Sequence, residues 1–275
     1  MPAQDPLPTT LMTWRLHREV VLLAGWGRAI LLQLAHPLVA QGVADHSGFA
    51  TQRRGHVKRL KRTLRAMLAL TFGTPEEAEK AAAGINRIHD RVHGRLAEAA
   101  GAFAPDTPYS AHDPALLAWV HVTLIDSFLL TYERFVAPLT PAERDRYCLE
   151  AVRGAPLLGI PPGVLPGSAA ELASYMERMA ASGEIAVTDT ARGLARHVLA
   201  PRGSWPLRPF LALARLPAVG LLPPAIRHAY GFEWTGRQER RLAMLSAVVR
   251  HALPIASPVL RHWPAARRAE TRTAG

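Results

Sequence analysis

Apolar residues recur every three or four positions along most of the chain, and strictly alternating stretches are scarce. This spacing is typical of helices that bury one face, whereas half-buried strands alternate. The pattern predicts helices over residues 15–35, 54–72, 75–99, 114–136, 141–153, 168–181, 187–198, 208–215, 223–229 and 236–251. The chain is therefore predicted to be all-α.

Several of these helices carry local start and stop signals. Thr74, Asp113 and Thr140 each stand directly before a proline, and acidic residues follow Thr74 and Thr140 in the first turn. A side-chain oxygen at this position caps a free N–H group, proline suits the first helical position, and acids complement the helix dipole. Pro37 and Pro138 are predicted to end the helices that precede them.

Segments rich in proline and glycine separate the helices at 101–112, 154–167 and 199–206. The helices predicted after 167 are too few and too short to form a core of their own. Residues 1–275 are therefore predicted to form a single globular multi-helix domain. Within it, 1–14 is interpreted as an N-terminal extension and 266–275 as a disordered tail.

The most apolar run covers residues 20–40, and Arg28, Gln33, His36 and Pro37 interrupt it. A membrane span needs about 20 nearly unbroken apolar residues, so we interpret this run as a buried core helix. The N-terminus lacks the basic-then-apolar order of a signal peptide. A single cysteine allows no intramolecular disulfide and favours a reducing compartment. These features predict a cytoplasmic protein.

The chain is strongly basic, with 33 Lys and Arg against 22 acids and a net charge of +11. The charge is spread over all segments, and its densest stretch, 53–65, alternates with Leu60 and Leu64 as an amphipathic helix does. No aromatic interleaving or recognised motif points to nucleic acid. Three interpretations of this basic stretch stay open: a solvated basic face, a site for an anionic ligand, and peripheral contact with an acidic membrane surface.

Several motifs that would define a cofactor site fail. Gly25-Trp26-Gly27 begins like a dinucleotide fingerprint, but Ile30 stands where the third glycine belongs. Paired cysteines for zinc, Glu-x-x-His pairs for di-iron and Cys-x-x-Cys-His for covalent haem do not occur in the sequence. Histidine is left as the main candidate ligand.

Four polar clusters interrupt otherwise apolar segments. They are His36 with His46; Arg59, Arg62 and Thr63; His89 with His93; and His121 with Asp126. A buried polar group costs a few kcal/mol unless it is paired, so we expect the clusters to converge on one site. Alternatively, each is a hydrogen-bonded core group, and His121 and Asp126 are the best examples of that interpretation.

The order of these clusters resembles a known family. RLKRT is followed by IHDRVHG, then YSAHDPALLAWVHVTLIDS and YERF, and GRAILLQLAHPLVAQGVADHS precedes them. The chain thereby resembles, from about residue 15 to 265, the oxygenase family of latex clearing protein (rubber oxygenase) and the fungal MpaB prenyl-cleaving oxygenase.

The resemblance implies a globin-like all-α core around a pocket for one non-covalent haem b. Its proximal iron ligand would be His89, in a His-x-x-Val context, with His93 near the haem edge or on the surface. Arg59 and Thr63 match the family's distal Arg-x-x-x-Thr pair. Arg62 stands where rubber oxygenase has lysine, and guanidinium is a poor iron ligand, so the distal site is expected to be open or water-bound. Arg59, Arg62 and His93 are candidates to pair with the haem propionates.

The implied function is a haem-dependent oxygenase that takes dioxygen and an apolar, alkene-bearing or prenyl-bearing small molecule as substrates. A non-catalytic haem-binding sensor, carrier or scaffold on the same fold is the alternative. A haem-free hydrolase, transferase or interaction protein is the third.

Overall fold

A computed structural model of the protein describes residues 10–46, 55–199 and 208–274. Helices dominate this part of the chain, so the all-α prediction is confirmed. They are α1 Met12–His17, α2 Leu23–Leu34, α3 Pro37–His46, α4 Gly55–Phe72, α5 Pro75–His89, α6 Pro114–Phe135, α7 Pro141–Ala151, α8 Ala169–Ala181, α9 Asp189–Leu199, α10 Arg208–Gly220, α11 Pro224–Ala229, α12 Gly236–Ala252, α13 Pro258–Arg261 and α14 Pro264–Ala274. Strands β1, His93–Arg95, and β2, Pro108–Ser110, pair antiparallel.

Helix α6 is the centre of the core. It packs against α2, α12, α1 and α7, and its side chains enter two apolar clusters. Val122 joins Leu16 and Tyr147 on one side, while Trp119 joins Leu31 on the other. Among the described helices, α6 alone has the length and hydropathy of a membrane span, and 67% of its apolar window is buried in the fold. Its apolar character is therefore that of a core helix.

The predicted helix over 15–35 is divided in the structure. Helix α1 is followed by a 3₁₀ turn at Val20–Leu22 and then by α2, which ends at Leu34. The chain then bends by 102° into α3, which the periodicity did not predict. Pro37 begins α3 because a proline at the first helical position forgoes an N–H that has no intrahelical partner.

The Gly-Trp-Gly sequence serves helix packing. A Cβ on Gly25 would lie 2.9 Å from the Ser127 carbonyl oxygen of α6. A Cβ on Gly27 would lie 2.6 Å from the Ala218 Cβ of α10. Both distances are too short for real Cβ contacts, so each glycine lets a neighbouring helix approach α2 closely.

The predicted helix starts are confirmed. Thr74 and Thr140 form complete capping boxes with Glu77 and Glu143, and Asp113 accepts a hydrogen bond from the Ala115 N–H. Each of these helices carries its proline in the first turn. Local chemistry therefore sets where α5, α6 and α7 begin.

The predicted helix over 75–99 is wrong after residue 89. Helix α5 ends at His89, and residues 93–95 form β1 instead. The β1–β2 pairing places His93 opposite Ser110 and Gly94 opposite Tyr109. A Cβ on Gly94 would collide with the Tyr109 ring, so this glycine suits the pairing. His89 and His93 consequently do not share a helix face.

The predicted disordered tail over 266–275 is also corrected. Residues 264–274 form α14, which packs against α4. Ala266 and Ala269 are buried in a cluster with Trp14 and Phe72. The small apolar residues of α14 thus complete an apolar cluster to which α1 contributes Trp14.

A buried ion pair fastens the C-terminal segment to the N-terminal one. The Glu19 carboxylate is 1% exposed and accepts hydrogen bonds from Arg261 Nε and Nη2 at 2.7 to 2.9 Å. His262 Nε2 lies 3.5 Å from the same carboxylate. Bidentate geometry of this kind gives the strongest carboxylate–guanidinium pairs.

Candidate functional site

His89 is the last residue of α5 and is partly buried. It lies seven positions after Ala82, so at 3.6 residues per turn it shares a helix face with the one residue of α5 that is buried. Its Nδ1 atom is buried and has no hydrogen-bond partner among the described residues. Burial lowers the pKa of His89, the nearby His112 lowers it further, and Asp90 opposes the shift. The imidazole is therefore neutral near pH 7, and no described residue bonds to its Nδ1.

A second histidine stands edge-on to this ring. The His112 and His89 ring centroids are 5.9 Å apart at an interplanar angle of 81°. His112 Nε2 lies 2.8 Å from Asp90 Oδ1, which fixes the ring across the gap between the end of α5 and the start of α6. Sequence patterns did not single out His112, which lies in the predicted loop over 101–112, or Asp90, which lies within the predicted helix over 75–99.

His46 and His93 meet beside the small sheet. The His46 ring nitrogen Nε2 lies 3.0 Å from the His93 carbonyl oxygen, and both side chains are exposed. The Tyr109 hydroxyl lies 2.5 Å from Asp45 Oδ2 and 3.4 Å from His46 Nε2. Burial, followed by the hydrogen bond to Asp45, raises the pKa of Tyr109. Histidines 46, 89, 93 and 112 thus border the β1–β2 hairpin.

The other predicted polar residues lie elsewhere in the fold. His36 is 1% exposed at the α2–α3 bend, with its ring 5.2 Å from the Phe103 ring. His121 Nε2 lies 3.1 Å from the Ala151 carbonyl oxygen. Asp126 pairs with buried Arg28 at 2.6 Å. The four clusters therefore do not all converge.

The distal candidates lie on α4. Arg62 and Thr63 are exposed, and the Arg59 side chain lies outside the described residues. Since α4 ends at Phe72 and α5 begins at Pro75, the two packed helices form an antiparallel hairpin. Arg59 is 13 residues before the end of α4, and His89 is 14 residues after the start of α5. At equal rise per residue, the two positions stand at the same level of the hairpin.

Helix α4 has two different faces. Leu64, Met67 and Thr71 line an open cleft. At about 100° per residue, the positions of Arg59 and Thr63 are centred about a quarter of a turn around the helix from these residues. The apolar face thus lines the cleft, and the Arg–Thr face lies on a neighbouring side of the helix.

The cleft is bounded by apolar and aromatic residues from several elements. Besides α4, its walls are Leu22, Leu23, Trp26, Phe128, Trp263 and His17. His17 Nε2 lies 3.0 Å from the Tyr147 hydroxyl, and burial, aided by His121, lowers the pKa of His17 to about 4. A neutral imidazole is thus the main polar group of the cleft, and no sequence pattern singled out His17 within the predicted helix over 15–35.

The end of α5 fits a haem ligand. Neutral imidazole is the form of histidine that coordinates iron, and the lowered pKa of His89 favours that form. In the described part of the chain, no cluster of three or more His, Cys, Asp or Glu side chains could hold a bare metal ion.

Comparison with known proteins bears on this site. The family model described as ER-bound oxygenase mpaB/B'/Rubber oxygenase, catalytic domain, matches residues 14–251. No curated protein and no solved structure gave a match. The matched range begins in α1 and contains the cleft residues of α2, α4 and α6, the α4–α5 hairpin and the β1–β2 hairpin. The chain therefore belongs to the mpaB/rubber oxygenase catalytic domain family, and it is an oxygenase domain.

Proposed function

We propose that this oxygenase binds haem b non-covalently, with His89 as the proximal ligand. The observation that carries the proposal is the position of a neutral His89 imidazole at the end of α5, level with Arg59 of α4, with no hydrogen-bond partner for its Nδ1 among the described residues. His93 is four residues further on, is exposed on β1, and its carbonyl oxygen already lies against His46. His89 is therefore the better ligand of the two, and His93 is suited to the macrocycle's edge.

The Arg–Thr face of α4 is the proposed distal surface. Arg59 and Thr63 are one helical turn apart, and Arg59 is level with His89 in the hairpin. When bound, haem b supplies the reducing iron that activates dioxygen. The Arg59 guanidinium and the Thr63 hydroxyl would stabilise negative charge that develops there, as a cation and a hydrogen-bond donor. Arg62 is available for a propionate because guanidinium pairs well with carboxylates.

The apolar lining of the cleft beside α4 favours an apolar substrate. Trp26, Phe128 and Leu64 provide a surface on which an alkene or prenyl chain loses contact with water, which is favourable in proportion to the area buried. We propose that an apolar, alkene-bearing or prenyl-bearing small molecule binds in this cleft before it reacts.

An absorption spectrum of the purified protein with added haem tests the cofactor proposal. The wild-type protein and His93→Ala should give a histidine-ligated haem spectrum, whereas His89→Ala should lose it. The His93 variant is the matched control, because it removes an equivalent imidazole from the same end of the domain. A normal spectrum from His89→Ala together with loss in His93→Ala would reverse the assignment.

Oxygen consumption separates an enzyme from a carrier. The ferrous protein should consume oxygen when an apolar alkene is added, and consumption should stop when the alkene is exhausted. Stable haem binding without alkene-dependent consumption of oxygen would instead support the sensor or carrier function.

A further inference from the structure

Large exposed apolar side chains gather in one region of the molecule. Of the eight that are exposed among the described residues, five lie between positions 244 and 260. They are Met244 at 67%, Val248 at 61%, Ile255 at 87%, Val259 at 62% and Leu260 at 77% exposure. Single exposed apolar residues are ordinary on a protein surface, but a contiguous group marks an interaction surface.

Helical geometry brings three of these residues into line. Met244 and Val248 are one turn apart on α12, and the helical path continues beyond it because the Ala256 N–H bonds to the Ala252 carbonyl oxygen at 3.1 Å. Ile255 therefore follows Val248 on the same side, two turns on. We call these residues, with Val259 and Leu260 of α13, the α12–α13 surface.

The opposite side of α12 already has its core partners. Leu242 is 1% exposed and Ser246 is 6% exposed, where α12 packs against α6 and α10. In an ordinary surface helix the side away from the core would be polar. The ion pair between Arg261 and buried Glu19 anchors the end of α13 to the rest of the fold. Val259 and Leu260, on the same short helix, are exposed to solvent.

Basic residues extend the same surface. Arg237 and Arg241 stand seven and three residues before Met244, which places them on the Met244 side of α12. Arg240 lies beside them, and within the described residues no ion pair joins any of the three arginines to an acid. Glu239, the acid in this turn, is engaged by Trp234 and Arg134.

We propose that the α12–α13 surface docks on an anionic lipid bilayer, lying in the plane of its interface. Apolar side chains beside arginines are the composition of helices that bury one face among acyl chains while cations meet lipid phosphates. The net charge of +11 favours such a surface and disfavours a second copy of the same chain as the partner. This inference does not depend on the haem or on the substrate cleft.

Vesicle co-sedimentation of the full chain tests the proposal. The protein should sediment with phosphatidylcholine vesicles that contain phosphatidylserine, less with phosphatidylcholine alone, and less as salt is added. Arg237→Gln and Arg241→Gln should each weaken binding about fivefold. Arg153→Gln, which removes an exposed arginine from a different surface, should leave binding unchanged. Absence of binding to phosphatidylserine vesicles at low salt would overturn the proposal.

A site-specific fluorophore identifies the surface that touches lipid. Cys148 is buried and burial raises the pKa of its thiol to about 11, so it resists labelling and an added cysteine reacts selectively. An environment-sensitive label at Val248→Cys should shift to the blue with anionic vesicles, while the same label at Val164→Cys should not. Equal responses at both positions would overturn the proposal. A blue shift at position 248 that rises with protein concentration without vesicles would assign the surface to self-association instead.

Discussion

The burial of His36 allows a quantitative prediction of how the free energy of unfolding depends on pH. This imidazole is 1% exposed, its Nδ1 has no partner among the described residues, and Glu184 Oε2 is 3.8 Å from Nε2. Burial lowers the pKa of His36 from 6.5 to about 4, against a small opposing effect of Asp113. The folded protein therefore holds His36 neutral over a range in which the unfolded chain protonates it.

The sign and size follow from proton linkage. Because the folded-state pKa is depressed, the contribution is fully present above pH 6.5 and is lost as pH falls towards 4. Between about pH 7.5 and about pH 5, the free energy of unfolding should fall by about 2 kcal/mol through this residue alone. Carboxylates and other histidines add their own effects, so a comparison with a variant is required.

Urea denaturation of wild type and His36→Gln at both pH values isolates the effect. Glutamine has a similar length and does not titrate, so its stability loss on acidification should be about 2 kcal/mol smaller than that of wild type. His228→Gln, at an exposed position on α11, should lose as much as wild type does. Equal losses in wild type and His36→Gln would show that the ring is protonated, or solvated, in the folded protein.

Further substitutions test the other contacts. Glu19→Ala leaves Arg261 without its carboxylate and should lower the free energy of unfolding by about 3 kcal/mol in chemical denaturation; an unchanged midpoint would contradict a buried ion pair. Gly27→Ala forces α2 away from Ala218 and should cost about 1 to 3 kcal/mol, measured in the same way, and a neutral result would refute close packing there. Thr63→Ala should leave the haem spectrum intact and lower alkene-dependent oxygen consumption, and unchanged consumption would remove Thr63 from the mechanism.

The sequence predicted where helices begin when the capping residues are close to each other in the chain. Thr74, Asp113 and Thr140 cap their helices as expected, because a cap needs only the next three residues. The end of α5 could not be predicted, since β1 forms only by pairing with a strand about 15 residues further along the chain. The helical tail depended on distant partners too, because α14 is held by Trp14 and Phe72.

The candidate site was predictable only in part. The sequence singled out His89, and the structure shows no hydrogen-bond partner for its Nδ1 among the residues that it describes. Its role as haem ligand stays a prediction. A polar residue within an apolar helix can belong to a functional site or to a structural ion pair, and the sequence does not distinguish the two. Asp126 is an example, because it forms an ion pair with Arg28. His17 was missed because its burial depends on α6 and α7, through contacts with Phe128 and Tyr147 that no local pattern encodes.

The Glu19–Arg261 pair links positions 242 residues apart in the chain. During synthesis the N-terminal helix leaves the ribosome long before its anchoring arginine exists, and closing so large a loop is slow. Until then the face of Trp14 that α14 covers is open to chaperones and to aggregation. Premature termination anywhere before residue 261 would thus leave that face permanently open, and quality-control proteases would recognise such a fragment by it.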